Sequence, residues 1–147
     1  MRIASAGGTG YTAATYDAPV STPEEVVDEF IRRITSNDLE SALELVAADV
    51  EYDNVPIGKN IGPDGMREFL GQMSSGVDEI EFVIQRQVAV GQIVMNERND
   101  RFHIGDKWLD LPVAGVFEVN DAGLITLWRD YFDMATFTDQ LTAILGG

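Results

Sequence analysis

The chain has no cysteine and one histidine, His103, and its 10 Lys and Arg are outnumbered by 25 Asp and Glu. Each shortage removes a class of function. Without thiols there is no cysteine nucleophile, thiolate metal site or disulfide framework, and the composition is silent on redox compartment. A lone imidazole leaves no HExxH pair or other histidine-based metal motif. The formal net charge of −15 repels phosphate backbones and anionic lipid surfaces, which disfavours nucleic acid and membranes as partners. No apolar run approaches the ~20 residues that a membrane-spanning helix needs. The opening segment "MRIASAGGTGYTAATYDAPV" lacks the apolar stretch of a secretory signal, so a cytoplasmic protein is expected. Its "AGGTG" precedes no strand–helix unit and is not a phosphate loop.

What is present is enough for one packed core. The 147 residues are 45% hydrophobic and include seven Phe, four Tyr and two Trp. Residues 1–20, rich in Gly, Ala, Ser and Thr, read as an irregular N-terminal arm, and 21–147 as a single domain. In "STPEEVVDEFIRRI", Thr22 is a cap, Pro23 takes the first helical position and Glu25 completes a capping box. "SNDLESALELVAA" predicts a second helix with Leu39, Ala42, Leu43 and Val46 on its inner stripe. "DVEYDNVPIG" follows as a short strand that stops at Pro56 and Gly58, and "GPDGMREFLGQM" as a third helix. Four strands are expected over 78–88, 92–104, 107–119 and 123–132, then a helix capped by Asp133. An unbroken series of strands pairs as an antiparallel meander with helices on one face, giving an α+β fold whose curved, mixed or antiparallel sheet wraps over helices. This order resembles the cone-shaped fold of nuclear transport factor 2, ketosteroid isomerase and small polyketide cyclases, which implies a deep apolar pocket.

The alternation of three strands carries an anomaly. In "RNDRFHI" the charges Arg98 and Asp100 share a face with Phe102 and Ile104, and in "LWRDYFD" Asp130 lies between Trp128 and Phe132. "DVEYDN" adds Val50, Tyr52 and Asn54. The opposite face of the last strand is also partly apolar, so period alone does not decide which side turns inward. If these faces converge, burial demands that Arg98 sit between Asp100 and Asp130 and hydrogen-bond both. Two carboxylates around one guanidinium push one pKa upward, leaving an acid and a base. Such a pair suits attack of water on carbon while an oxygen leaving group takes a proton, with Tyr52 and Asn54 orienting the water. The bland alternative is an ion network that merely holds strands in register. Asn96 is expected to line a wet part of the cavity, and His103 to point to the outer face, which excludes a Ser–His–Asp set.

"YDN", "ERND" and "LWRDYFD", with "GVFEV" upstream, resemble the limonene-1,2-epoxide hydrolase family over most of the chain from "STPEEVV" onward. The resemblance implies Asp130 as general base on water, helped by Tyr52 and Asn54, Asp100 as general acid to the epoxide oxygen, and Arg98 bridging the two. It implies one-step hydrolysis to a vicinal diol without metal, cofactor or enzyme ester, in a homodimer. The expected wall residues Val94, Phe102, Leu111, Val113, Phe117, Trp128 and Phe132 then imply an apolar epoxide, a terpene or cyclic alkene oxide. Two other readings stay open: an isomerase or cyclase on the same fold, and a non-catalytic binding domain for a lipophilic small molecule.

Overall fold

The capping box opens the first element. In the computed structural model, which describes residues 21–146, Thr22 Oγ1 accepts from the Glu25 backbone N–H at 3.2 Å, and the Thr22 N–H donates to Glu25 Oε1 at 3.3 Å. The predicted arm over 1–20 lies outside the described residues. Helix α1 (Pro23–Thr35) then buries Val26, Val27, Phe30, Ile31 and Ile34 as one stripe. The remaining elements are α2 (Leu39–Leu43), β1 (Val46–Asn54), β2 (Gly58–Ile61), α3 (Gly62–Met73), β3 (Glu79–Val90), β4 (Ile93–Ile104), β5 (Lys107–Val119), β6 (Ile125–Tyr131) and α4 (Met134–Gly146).

The six strands form one curved, unclosed sheet in the order β2-β1-β6-β5-β4-β3. β3 to β6 are the expected antiparallel meander, turning at Gly91 and Gly105, whose φ angles of 58° and 65° favour glycine. β1 enters the sheet parallel to β6, and β2 covers its other edge antiparallel. Two expectations are corrected. The second helix ends at Leu43 instead of running through Val46, because Val46 pairs with Ile125 and the Leu45 carbonyl accepts from the Ile125 N–H at 2.8 Å. Strand pairing thus overrides the helical period of "LELVAA". β2 was not expected at all: its four residues, Gly-Lys-Asn-Ile, carry no alternation and exist by pairing with β1.

The helices pack on one face of the sheet. α1 and α3 join Val50, Tyr52, Val94, Phe117, Ile125 and Trp128 in the larger core cluster. A second cluster, Phe102, Leu109, Leu111 and Val113, is covered by Phe137, Leu141 and Ile144 of α4. Gln140 fastens that helix to β5, donating to the Asp110 carbonyl at 2.7 Å and accepting from the Asp110 N–H at 3.0 Å. The Asp133 carboxylate caps its start through the Thr136 N–H at 2.9 Å. Among the described residues, no helix is long and apolar enough to cross a membrane.

Candidate active site

Strand parity delivers the polar set to the concave face. Along β4, Val94, Asn96, Arg98, Asp100 and Phe102 are buried while Met95 and Glu97 are exposed. Along β6, Trp128 and Asp130 are buried, and along β1, Val50, Tyr52 and Asn54. The parallel register sets Tyr52 beside Trp128 and Asn54 beside Asp130. Three segments far apart in sequence therefore meet at one place.

Arg98, only 1% exposed, lies between the two aspartates. Its Nε donates to Asp100 Oδ1 at 2.9 Å and its Nη2 to Asp100 Oδ2 at 2.9 Å, a bidentate pair; Nη2 also donates to Asp130 Oδ2 at 2.7 Å. The third nitrogen, Nη1, donates to Asn96 Oδ1 at 2.8 Å, and the guanidinium carbon stands 5.2 Å from the centroid of the Phe82 ring. Asp130 Oδ1 accepts from the Trp128 indole N–H at 2.8 Å, so both oxygens of Asp130 are held by protein donors. Each keeps a further lone pair for another donor. The Tyr52 ring stacks on Trp128 with centroids 4.4 Å apart, and the buried Asn54 Nδ2 has no hydrogen-bond partner.

Burial moves the Asp100 carboxyl away from ordinary behaviour. Desolvation pushes Asp100 up to about 6, against the pull of Arg98 and with a further push from the Asp130 charge. Desolvation of Arg98 is outweighed by Asp130 and Asp100, which hold the guanidinium above its usual range and charged. Burial, with the Asp130 charge added, also raises the Tyr52 phenol, which stays protonated. The site thus has a carboxyl group that holds its proton up to about pH 6 and a permanent cation beside it.

The cavity over this cluster has a volume of about 60 Å³ and is otherwise apolar, with Phe102, Leu111, Val113, Trp128 and Phe132 among its walls as expected. Val94 and Phe117 do not line it. They share a rung of the sheet with Trp128 and Tyr52 and belong to the larger core cluster, the Phe117 ring stacking on Trp128 with centroids 5.7 Å apart. Ile57, Phe69, Met73, Phe82 and Phe137 complete the lining and were missed, because they come from a turn, two helices and a strand whose facing no local pattern fixes. A roomier apolar compartment of about 320 Å³ between α3 and α4 shares Met73, Phe102 and Phe137 with the inner one. Asn96 lies in no wet region: it is 5% exposed and its amide is bonded at both ends, to Arg98 and to Gln87.

Residues 21–143 match the family described as limonene-1,2-epoxide hydrolase catalytic domain. The chain belongs to that family. Epoxide hydrolase EphG of Mycobacterium tuberculosis is 36% identical over 108 residues, which covers 74% of this chain and 71% of the relative. A solved structure of an M. tuberculosis LEH-like epoxide hydrolase superposes with a TM-score of 0.71 at 30% identity, over 85% of this chain and 96% of the other. A SnoaL-like protein from Shewanella denitrificans shares the fold at a TM-score of 0.73 and 21% identity, over 86% and 99% of the two chains. The α+β fold is accordingly that of the nuclear transport factor 2-like proteins, and of the readings left open by the residues, family membership selects the epoxide hydrolase.

Proposed function

We propose that the protein hydrolyses an apolar epoxide to a vicinal diol in one step, using only its own side chains and water. The observation that carries this reading is the buried Asp100–Arg98–Asp130 bridge under an apolar cavity, with the unpartnered Asn54 Nδ2 beside it. Asp130 is the general base. A water donates one proton to its free lone pair and accepts from the Asn54 amide, with Tyr52 Oη accepting its second O–H. One water lone pair then faces the substrate carbon. Asp100 is the general acid and protonates the epoxide oxygen as the carbon–oxygen bond breaks, and Arg98 stabilises the charge developing there. The new bond joins water oxygen to carbon, and Asp130 takes the released proton. After turnover Asp130 carries a proton and Asp100 does not, and exchange with solvent resets the pair. Ring strain lowers the barrier, so that general acid and base at about 10²–10⁴-fold each, with positioning, suffice.

The inner chamber suits the epoxide ring and water, and the adjoining apolar compartment suits the carbon skeleton of a terpene or cyclic alkene oxide. The outer face of β3 and β4, with exposed Val83, Val88, Val90, Ile93 and Met95, supports pairing with a second copy of the chain. Single turnover in ¹⁸O-labelled water tests the chemistry. Label in the first diol formed is expected; an unlabelled first product means an enzyme ester and overturns the one-step reading. Light scattering on the eluting protein tests the dimer.

A further inference from the structure

One rung of strand register crosses five strands of the sheet. Gln87 on β3 pairs with Asn96 on β4, Asn96 with Gly115 on β5, Gly115 with Asp130 on β6, and Asp130 with Asn54 on β1. Four of these residues are polar and the fifth has no side chain. The adjacent rung, Ala89, Val94, Phe117, Trp128 and Tyr52, has no charged member. A bulge makes this possible. Between the pairs Ile84–Arg98 and Arg86–Glu97 the register shifts by one residue, so Gln87, instead of Arg86, turns inward to Asn96.

Gly115 is not among the glycines with positive φ, so backbone conformation does not demand it. Space does. A Cβ built there would overlap Arg98 Nη1 and would lie 2.8 Å from Asp130 Oδ1 and 2.9 Å from Asn96 Oδ1. The guanidinium occupies the gap that the missing side chain leaves.

The amides on the rung have a fixed polarity. A carboxylate only accepts and a guanidinium only donates. Asp28 and Glu24 of α1 take Gln87 Nε2 at 2.8 and 3.3 Å, which turns Gln87 Oε1 toward Asn96 Nδ2 at 3.0 Å, which in turn presents Asn96 Oδ1 to Arg98. Two amides thereby relay an acceptor from the helix surface to the buried cation.

We propose that Asn96, oriented by Gln87, and the bare backbone of Gly115 are positioning residues that set where Arg98 stands between Asp100 and Asp130. The inference rests on the catalytic roles given above to those three residues. Asn96 gives an acceptor to Nη1, the one guanidinium nitrogen that bonds neither aspartate, and Gly115 leaves the space in which the guanidinium reaches both at once. The ionisable groups facing the cluster are Arg98 and Asp100 on β4, Asp130 on β6 and Tyr52 on β1, with Glu24 and Asp28 of α1 one amide further out, beyond Gln87. β3 and β5 present Phe82 and Gly115, α3 presents Phe69 and Met73, and α4 presents Phe137.

The test uses Asn96→Leu, Asn96→Asp and Gly115→Ala in the full chain. Turnover of cyclohexene oxide is measured, along with the titration of the Asp100 carboxyl by ¹³C NMR on aspartate-labelled protein, assigned with Asp100→Asn. Asn96→Leu leaves Nη1 without its acceptor and lowers kcat about tenfold with KM held within about twofold. Gly115→Ala displaces the guanidinium and lowers kcat about 100-fold. Asn96→Asp keeps the acceptor for Arg98 but sets a third carboxylate against it, so the Asp100 titration and the alkaline limb of kcat/KM both move up by about one unit. Asn96→Leu adds no charge, so an Asp100 titration displaced in that variant reports a moved guanidinium, whereas a residue of purely structural importance would change the melting temperature and leave the Asn96→Leu titration in place. An unmoved Asp100 titration in Asn96→Asp, or wild-type kcat in Asn96→Leu, overturns the proposal. If Asn96→Leu fails to fold, Gln87→Leu at its half-buried site carries the same comparison, with an expected loss of about threefold. Failure of the catalytic reading looks different: Asp100→Asn and Asp130→Asn would retain turnover, or the wild type would form no diol, while the NMR titration still decides the positioning role without substrate.

Discussion

Trp128 donates its indole N–H to Asp130 Oδ1 at 2.8 Å, from a position two residues earlier on the same strand. The bond makes the largest buried side chain of the core also the holder of the proposed base. It fixes the carboxylate plane, so that Oδ2 meets Arg98 and the outer lone pairs meet the cavity. Trp128→Phe preserves the stacking on Tyr52 and removes only this donor. Steady-state kinetics on any accepted epoxide should show kcat/KM reduced about tenfold, with far less effect on unfolding by urea than on rate.

Asp130→Asn cannot accept water's proton, and its single oxygen cannot serve both Trp128 and Arg98. Diol formation, followed by chiral gas chromatography, should fall by about 10²–10⁴-fold. Folding is expected to survive, at a cost of about 1–3 kcal/mol for the donor left unpaired. Substantial activity in this variant would remove Asp130 from the mechanism.

The proton on Asp100 links rate and stability to pH. The proposed mechanism needs the acid form, so kcat/KM should decline as pH rises through about 6. The folded-state pKa lies above the ordinary value of 3.8, so the folded protein holds this proton more tightly than the unfolded chain. The resulting stabilisation is complete below pH 3.8 and is lost as pH climbs to about 6. Urea unfolding across that window should show the wild type losing stability relative to Asp100→Asn as pH increases; a constant difference would place the raised pKa in doubt.

The proposed reaction draws on aspartates, an arginine, a phenol, an amide and water. Exhaustive dialysis against EDTA should leave kcat unchanged, as judged by the same diol assay. A rate restored only by added metal would require a different mechanism.

Much of this was legible in the chain. The capping box at Thr22, the inward stripe of α1 and the meander from β3 to β6 follow from patterns only a few residues long. So does the anomaly of Arg98, Asp100 and Asp130, since period two exposes any charge on an apolar face. What local pattern cannot reveal is pairing at a distance. "LELVAA" reads as helix until β6 draws Val46 into the sheet, and β2 has no signature apart from its partner. Gly115 did leave a trace: in Leu109, Leu111, Val113, Gly115, Phe117 and Val119 it is the one inward position without bulk. Asn96 showed its polarity but not its partners, because the bulge that turns Gln87 toward it is invisible before β3 and β4 are paired.

The parallel seam between β1 and β6 has a consequence for how the molecule comes into being. β1 touches the meander only through the strand made last, so Tyr52 and Asn54, synthesised early, have no counterpart until Asp130 has left the ribosome. Under the proposed mechanism, a nascent chain carrying Arg98 and Asp100 is still an unfinished reactor. Closing that long loop late is slow compared with zipping neighbouring hairpins, and it ties the onset of hydrolysis to completion of the whole sheet.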